Sequence, residues 1–523
     1  MNDKLHEAMN EISDKHLWEA ETYQKRHFSY WIAAAAALLA LIITLAAAFG
    51  GNPATTGTSN PLLEHSQPSS PFFPTDPSSS IKPTIFPTTP PTTPPTTPKP
   101  SGITPPDTLL FANLAAAPTY PEMVRYPKAE DFESFKDYQA AEDAYLAAQK
   151  AQYDQPDGYA DGLTNFFAAS IAQFLQGEGN AAYSPLNVYM AMAMLAETTG
   201  GNSRQQILDL FGVKTIEELR TQAGHVWNAH YCDDGRSTIL MANSLWLDHQ
   251  FPYHQEAADR LAQYYYASTF HGDLGTEVVD QQLREWLNAN TGGLLKEQAD
   301  NVKLNPEAVF VLASTIYFTA GWTDEFSEEH TYDETFHAPA GDMQTPFMHQ
   351  TRRDTYYRGS NFGAIYLSLG DSNRMWLILP DVGFTTEDIL KSDEYLQLTL
   401  NPGSRYGITY EIHLSLPKFD VVQQQDLIQG MKQLGVTDIF SNASDFSPIS
   451  SMKNLFISQI NHAARVTIDE EGCTAAAFTV IEAAGEGVPS EVEELYFTLD
   501  RPFLFLVTSR DNLPLFAGIV KQP

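Results

Sequence analysis

The sequence predicts an α+β fold, because helical and strand-like segments are mixed without a regular β-α-β alternation. Large apolar residues recur at helical spacing over residues 166–175. Several strand-like runs are apolar on both faces, and this predicts sheets that are covered on both sides. These runs span residues 239–247, 309–318, 364–369, 375–379 and 412–416.

A helix start is recognisable near the beginning of this region. The run Asn180-Ala-Ala-Tyr-Ser-Pro185 interrupts the first helix, and Ser184 and Pro185 stand where the N-cap and the first residue of a second helix belong. Alanines follow at positions 191, 193 and 196. We therefore expect the second helix to pack closely against its neighbours.

The composition of the 523-residue chain excludes several classes of protein. The chain has 65 acidic and 31 basic residues and a net charge of −34, which argues against nucleic acid or an anionic membrane surface as a partner. Its two cysteines, Cys232 and Cys473, are too few for a disulfide framework or a cysteine-based zinc site. We expect two free thiols.

The N-terminal segment is long and apolar enough to span a membrane. Residues 28–51 carry no charge, and about twenty apolar residues suffice to cross a bilayer. Lysines and arginines precede this segment and none follows before Lys82, so we expect residues 1–27 in the cytoplasm and the remainder outside. The alternative is a secreted protein with a cleaved signal peptide, since Ala46-Ala47-Ala48 resembles a cleavage site. The long polar lead of residues 1–27 favours an uncleaved, single-pass transmembrane helix over residues 28–51 that anchors the protein in the cell membrane.

Two further segments separate this anchor from a globular body. Residues 52–117 are rich in Pro, Thr and Ser and are expected to be a disordered linker, because residues 53–106 hold 16 of the 33 prolines. Residues 118–160 are charged and rich in Tyr and Ala, which predicts a helical lead-in without assigned chemistry. The globular body covers residues 161–523.

The body lacks the sequence signatures of common enzymes. It contains no GxSxG elbow, Walker loop, GxGxxG fingerprint or HExxH helix. His330, His337 and His349 fall in one region but lack the spacing of metal ligands. We therefore predict no catalytic residue, no metal site and no cofactor.

One segment near the C-terminus, DEEGCTAAAFTVIE over residues 469–482, can form either a mobile loop or a buried strand. It has no charge and no proline between Gly472 and Ile481. In a strand, alternate residues face opposite sides of the sheet. One face is small or apolar throughout and consists of Cys473, Ala475, Ala477, Thr479, Ile481 and Ala483. The other face tolerates water and consists of Thr474, Ala476, Phe478, Val480, Glu482 and Ala484.

Nine short motifs run through the globular body in a fixed order. They are Asn180-x-x-Tyr-Ser-Pro-Leu186, Ala242-Asn-Ser-Leu-Trp246, Trp286-x-x-x-Asn290-Thr-x-Gly293, Ile316-Tyr-Phe-x-x-Gly-Trp322, Leu416-Pro-Lys-Phe419, Leu434-Gly-x-x-x-x-Phe440, Thr467-Ile-Asp-Glu-Glu-Gly472, Asp500-Arg-Pro-Phe-Leu-Phe505 and Phe516-Ala-Gly518. In this order the motifs resemble those of the serpins, a family of serine protease inhibitors, over residues 162–523. Together with the N-terminal anchor, the resemblance indicates a bacterial-type, membrane-tethered serpin.

The resemblance implies a fold and a mechanism. The family fold has three β-sheets and eight to nine helices, an exposed reactive-centre loop and a metastable native state. In inhibitory members a serine protease cleaves the loop and forms an acyl-enzyme, and the loop then inserts into the main sheet as a new strand. We therefore expect a monomeric suicide inhibitor of extracellular serine proteases. The alternatives are a non-inhibitory serpin that acts as a binding module at the cell surface, and an adhesin-like protein that depends on its tether.

The resemblance also locates the hinge of the loop, from which insertion starts. The hinge residues are Glu470, Glu471, Gly472, Cys473, Thr474, Ala475, Ala476 and Ala477. A charged or bulky inward residue costs several kcal/mol on insertion. Here the inward face is small, with Cys473 in place of the usual Thr or Ser, so the hinge favours an inhibitor.

The resemblance also implies a position for the reactive bond, because inhibitory serpins keep a nearly fixed distance from the hinge glycine to this bond. Counting fourteen residues from Gly472 gives Glu486–Gly487, which implies a glutamyl-specific protease. The alternative is Ala484–Gly485, because small apolar residues at this place suit elastase-like or subtilisin-like proteases.

Four polar residues match a cluster beneath the opening of the main sheet in serpins, called the shutter. They are Ser184, Asn187, Ser314 and His462. The family usually has Ser where Asn187 stands and Asn where Ser314 stands, so amide and hydroxyl have exchanged positions without changing the supply of donors and acceptors. We expect Asn187 to bond His462 or the strand of Ser314 and the cluster to gate insertion, unless His462 is a satisfied core histidine. Trp322 matches the tryptophan of the breach, where insertion begins, although it also suits a plain core position.

Overall fold

The computed structural model describes residues 37–47, 114–121, 123–404, 407–473 and 493–523. These residues all belong to one compact unit, and residues 49–104 lie outside it. The described part contains two nine-stranded sheets and eleven α-helices, mixed along the chain as expected.

The strands and helices have the following bounds. The first nine strands are β1 (Ala37–Ala47), β2 (Leu114–Ala116), β3 (Ala181–Tyr183), β4 (Cys232–Asp233), β5 (Ser237–Asp248), β6 (Ala267–Gly272), β7 (Ala308–Gly321), β8 (Thr331–Ala338) and β9 (Gly341–Arg358). The other nine are β10 (Phe362–Ser368), β11 (Arg374–Pro380), β12 (Ile408–Pro417), β13 (Phe419–Asp426), β14 (Leu455–Ile468), β15 (Gly472–Cys473), β16 (Glu494–Thr498), β17 (Phe503–Thr508) and β18 (Pro514–Val520). The helices are α1 (Phe135–Tyr153), α2 (Thr164–Phe174), α3 (Pro185–Thr198), α4 (Gly201–Leu210), α5 (Ile216–His230), α6 (Gln255–Tyr265), α7 (Glu277–Ala289), α8 (Lys296–Asp300), α9 (Thr386–Leu390), α10 (Glu394–Leu400) and α11 (Ile428–Gln433).

The first sheet has the strand order β1-β14-β15-β7-β5-β6-β2, with β13 on β14 and β4 on β5. β1 lies between β14 and β7 and is antiparallel to both. The two-residue strand β15 lies between the same two neighbours, where Gly472 pairs with Gly321 and Cys473 pairs with Ala320 and Ile468. β7 and β14 are therefore parallel to each other and one strand apart. We call the space between them the slot.

The second sheet has the order β16-β12-β9-β10-β11-β17-β18-β3, with β8 on β9. The described residues form two sheets where three were expected. The reason is that β9 and β10 pair at Gly363–Arg358 and Ala364–Tyr357, and this pairing joins two groups of strands into one sheet. The described residues exceed the expected eight to nine helices because the lead-in adds α1 and because two of the helices, α8 and α9, have only five residues.

Helix α3 forms the centre of the core between the two sheets. All fourteen of its residues are buried, and it contacts β7 and β18. The predicted start is confirmed, because the Ser184 hydroxyl accepts a hydrogen bond from the backbone N–H of Asn187 and Pro185 is the first helical residue. The N-cap places Ser184 and Asn187 under the middle of β7.

The apolar N-terminal segment differs from its expected helical form over the residues that the structure describes. Ala37–Ala47 form strand β1, and among the described residues no helix is long and apolar enough to cross a membrane. The physical reason lies in the slot, since both its edges present backbone donors and acceptors that an uncharged extended segment satisfies. The predicted cytoplasmic tail and the linker up to residue 113 lie outside the described ranges.

The lead-in docks on the body through one face of α1. The helix covers only Phe135–Tyr153, so it is shorter than the helical lead-in predicted over residues 118–160. Tyr145 donates from its hydroxyl to Asp234. Gln149 and Tyr153 donate to the two carboxylate oxygens of Asp371 at 2.8 and 2.7 Å. These three side chains are four residues apart and therefore share one side of the helix.

Asp371 gives this contact a pH dependence. Burial raises the pKa of its carboxyl from 3.8 to about 6, so the folded state holds this proton more tightly than the unfolded state. The contribution of Asp371 to the free energy of unfolding should therefore fall by about 2 kcal/mol as the pH rises from 4 to 6. Asparagine tolerates the left-handed backbone conformation of this position (φ 58°) and has no carboxyl group to titrate. The variant Asp371→Asn should therefore lose this pH dependence. The difference between the stability–pH curves of the two proteins measures the effect, and parallel curves over this range would contradict it.

Candidate functional site

The hinge begins in a tight turn at the end of the slot. The Asp469 carboxylate accepts hydrogen bonds from the backbone N–H groups of Glu471 and Gly472 at 3.0 and 3.2 Å, and the carbonyl of Gly472 accepts from the N–H of Asp469 at 3.1 Å. A Cβ atom on Gly472 would lie 2.5 Å from the carbonyl oxygen of Ala320. The turn therefore needs glycine at this position.

Trp322 ties this turn to the end of β7. Its indole N–H donates to the carbonyl of Asp469 at 2.8 Å, and its backbone N–H donates to the carbonyl of Glu471 at 2.9 Å. The side chain is 2% exposed. Trp322 therefore lies at the entry of the slot and bonds the hinge directly, which goes beyond packing in the core.

The two hinge glutamates have different surroundings. Burial acts to raise the pKa of Glu470, but the Lys418 ammonium, 2.6 Å from its carboxylate, prevails and lowers that pKa. The pKa of Glu471 is raised by partial burial and by the neighbouring charges of Asp469, Glu328 and Glu470. The Glu470 carboxylate is thus held as an anion by Lys418. Glu471 is held by its backbone, whose N–H donates to Asp469 and whose carbonyl accepts from Trp322.

Cys473 is the first inward residue of the hinge, and it lies in the sheet. Its side chain is fully buried, and burial raises the pKa of its thiol. Cys473 and Cys232 are both free, as the sequence indicates. The remaining hinge residues Thr474–Ala477 and both candidate reactive bonds, Glu486–Gly487 and Ala484–Gly485, lie beyond the described part of the chain.

The structure brings the four shutter residues together beneath the slot. Asn187 donates from its amide to the carbonyl of Ser314 at 3.3 Å and accepts from the hydroxyl of Ser314. The backbone N–H of Ser184 donates to Nε2 of His462 at 3.3 Å. Asn187 therefore bonds the strand of Ser314, the second of its two expected partners.

His462 is neutral and incompletely satisfied. Burial lowers its pKa to about 3, and because Nε2 accepts a hydrogen bond, the proton is on Nδ1. Among the described residues, Nδ1 has no hydrogen-bond partner. The slot passes between His462 and Ser314, since Leu41 of β1 pairs with both. His462 is therefore not a core histidine with both ring nitrogens hydrogen-bonded.

One group of side chains has the composition of a cation site. Ligand atoms of Asp248, His249 and Asp273 lie within 4.8 Å of one another. His249 already pairs with Asp273, and the Asp248 carboxylate accepts from the backbone N–H of Gln250 at 2.9 Å and of Leu274 at 3.3 Å. These hydrogen bonds and this ion pair explain why the three side chains lie close together without a cation.

Sequence reasoning assigned no role to Lys418 or to the carboxylate of Asp469. Lys418 stands within the Leu416–Phe419 motif, but its partner Glu470 is 52 residues away. Asp469 precedes two glutamates, and only the turn itself reveals which of the three carboxylates caps backbone N–H groups.

The shutter exchange is testable by reversing it. Asn187→Ser removes both bonds to Ser314 and should lower the free energy of unfolding by about 1–3 kcal/mol, because buried polar groups lose their partner. The double variant Asn187→Ser/Ser314→Asn restores the family's usual arrangement and should recover most of this loss. Denaturant unfolding measures both effects. An unchanged single variant, or additive losses in the double variant, would contradict the exchange.

Comparison with known proteins identifies the family. The model of the family "Serpin (serine protease inhibitor)" matches residues 163–523. Serpin-Z1C of Triticum aestivum is 29% identical over 366 residues, which cover 66% of this chain and 90% of the relative.

Solved structures share the fold. The thermophilic serpin tengpin in its native state is 22% identical with a TM-score of 0.62, and the match covers 71% of this chain and 95% of tengpin. A complex of thyroxine-binding globulin with thyroxine is 19% identical with a TM-score of 0.59, covering 70% and 100%. Similarity at these identities concerns the fold alone. With the family model matching more than half of its length, the chain belongs to the serpin family, whose members are typically protease inhibitors and not enzymes.

Proposed function

We propose that this serpin is a suicide inhibitor of extracellular serine proteases. The observation that carries the proposal is the slot between β7 and β14, which accepts an antiparallel strand along both edges. The first two residues of the reactive loop, Gly472 and Cys473, already pair at its entry. A loop that is cut beyond this point has a path into the sheet.

The length of the loop fits the slot. β7 and β14 are fourteen residues long, and residues 473–486 are also fourteen. At about 3.3 Å per residue, such a strand covers the full length of its neighbours. Cleavage after Glu486 would leave the acyl bond at the far end of the sheet, whereas cleavage after Ala484 shortens the strand by about 7 Å.

The chemistry follows from the fate of the acyl-enzyme. The protease serine attacks the carbonyl of Glu486, the amine of Gly487 leaves, and an ester joins the protease to the loop. Each new ladder hydrogen bond is worth about 1 kcal/mol, so insertion of the loop releases on the order of 10 kcal/mol. Displacement of the ester distorts the oxyanion hole, and loss of a single donor there slows catalysis about 10²–10³-fold. Hydrolysis of the ester is therefore slower than trapping.

The two faces of the hinge allow a matched test. Ala477 belongs to the inward face and Ala476 to the outward face of the inserted strand. Ala477→Arg should abolish the SDS-stable adduct with a glutamyl-specific or elastase-like protease, because an unpaired buried arginine costs several kcal/mol. Ala476→Arg, with the same charge, should retain it. Gel electrophoresis after mixing measures the adduct, and equal behaviour of the two variants would contradict insertion.

The second candidate function is a non-inhibitory binding module on the cell surface. The observation that favours it is β1, whose eleven residues fill the slot below the hinge. A serpin with a permanently filled slot is only a substrate for proteases. Clean turnover of the unaltered chain without an adduct would support this function over inhibition.

The N-terminal segment is proposed to anchor the protein in the cell membrane, with the serpin body outside. The lack of charge over residues 28–51 and the basic residues before them support this proposal. Residues 37–47 serve either as β1 or as part of the anchor, so the anchored form leaves the slot open to the loop.

Membrane extraction tests the anchor. The full chain should remain in the membrane pellet after carbonate treatment, and Ile42→Arg should release part of it, because a central arginine costs about 2.5–3.5 kcal/mol on insertion. A chain that starts at Leu114 should be fully soluble. Extraction of the unaltered full chain into the supernatant would contradict the proposal.

A further inference from the structure

A cavity of about 450 Å³ opens between the end of β7 and the turn that joins β10 to β11. Arg236 and Arg374 line it together with the aromatic side chains of Trp322 and Tyr366. Gly321 and Trp322 of its lining also contact the hinge, whereas none of the four shutter residues lines this cavity.

Aromatic rings hold both arginines of the cavity in place. The Arg236 guanidinium lies 4.7 Å from the centroid of the Tyr126 ring, which belongs to the lead-in. The Arg374 guanidinium lies 5.2 Å from the centroid of the Tyr366 ring and donates to the side-chain oxygen of Asn512. Cation–π contacts of this kind fix a guanidinium without neutralising it.

Neither arginine has an ion-pair partner among the described residues. Arg236 and Arg374 form no salt bridge within 4.0 Å there, although the chain has 65 acidic residues for 31 basic ones. In a protein with such an excess of acidic residues, most arginines are expected to form ion pairs. Two arginines without such a partner among the described residues, on the wall of one cavity, therefore indicate a binding role.

The carboxylates on the wall of the cavity already have other partners. Asp371 accepts hydrogen bonds from Gln149 and Tyr153 and acts on Arg236 only through space. Asp324 is 3.6 Å from the guanidinium of Arg352. Neither carboxylate lies within ion-pair distance of Arg236 or Arg374, so the N–H donors of the two guanidinium groups are not occupied by these wall residues.

The geometry points to a binding site for a compact oxyanion, either free phosphate or sulfate or the same group as a monoester on a small aromatic molecule. Guanidinium groups match the oxygens of such anions with paired hydrogen bonds. Thr323 and Ser368 line the same cavity, and both carry a hydroxyl that can donate to such an anion. The Tyr366 ring offers an apolar surface to a substituent on the anion.

Calorimetric titration of the full chain with inorganic phosphate and with phenyl phosphate tests the site at constant ionic strength. Saturable binding with one anion per chain is expected. Arg236→Gln and Arg374→Gln should each weaken it about tenfold, a loss of about 1.4 kcal/mol. Tighter binding of phenyl phosphate than of phosphate would identify a monoester as the ligand, and equal binding would identify the free anion.

The control is Arg284→Gln on helix α7, which removes the same charge from a guanidinium that pairs with Glu277 at 2.9 Å. Arg284 does not line the cavity, so this variant should bind phosphate like the unaltered chain. If a glutamine variant unfolds at a lower temperature than the unaltered chain without ligand, Arg→Lys at the same position replaces it. Lysine keeps the charge but lacks the planar pair of donors, so this variant should still bind phosphate more weakly. Heat of titration no different from that with chloride, or equal weakening of phosphate binding in Arg284→Gln, would overturn the site. The readout is binding, so it stands apart from protease inhibition.

Discussion

The arrangement of this serpin depends on the backbone of two strands, β7 and β14, that do not pair with each other. Each offers a row of N–H and C=O groups toward the slot, and buried groups of this kind must find partners. The residues that fill the slot decide the state of the molecule. In the structure β1 and the hinge strand β15 fill it together. In the proposed mechanism residues 37–47 belong to the membrane anchor, and the cleaved loop fills the slot that β1 occupies in the structure.

The side chains around the slot explain how this exchange is controlled. At the entry, Trp322 bonds the carbonyls of Asp469 and Glu471, so the hinge is held before any cleavage. In the middle, Asn187 bridges from the core helix α3 to β7. The lead-in contacts the turn after β10 through Asp371, and this turn lies against β7. Three distant segments of the chain thus meet around one opening in the sheet.

The sequence predicts those features that depend on local pattern or on motifs. Ser184 and Pro185 mark a helix start that the structure confirms, and the small inward face of the hinge predicted that Cys473 can be buried. The uncharged run at residues 37–47 is ambiguous, because the same composition suits a bilayer and an open sheet edge. Tyr153 and Asp371 are 218 residues apart, and no local signal connects them. The join between β9 and β10 likewise depends on tertiary packing.

The most direct test of this account is the thermal unfolding of the full chain in lipid vesicles before and after cleavage of its reactive loop. Vesicles matter because the proposed anchor then keeps residues 28–51 out of the slot. The account predicts that the cleaved protein unfolds at least about 10 °C higher, since the inserted loop pairs along both open strands. Equal unfolding temperatures of the intact and cleaved proteins would contradict it.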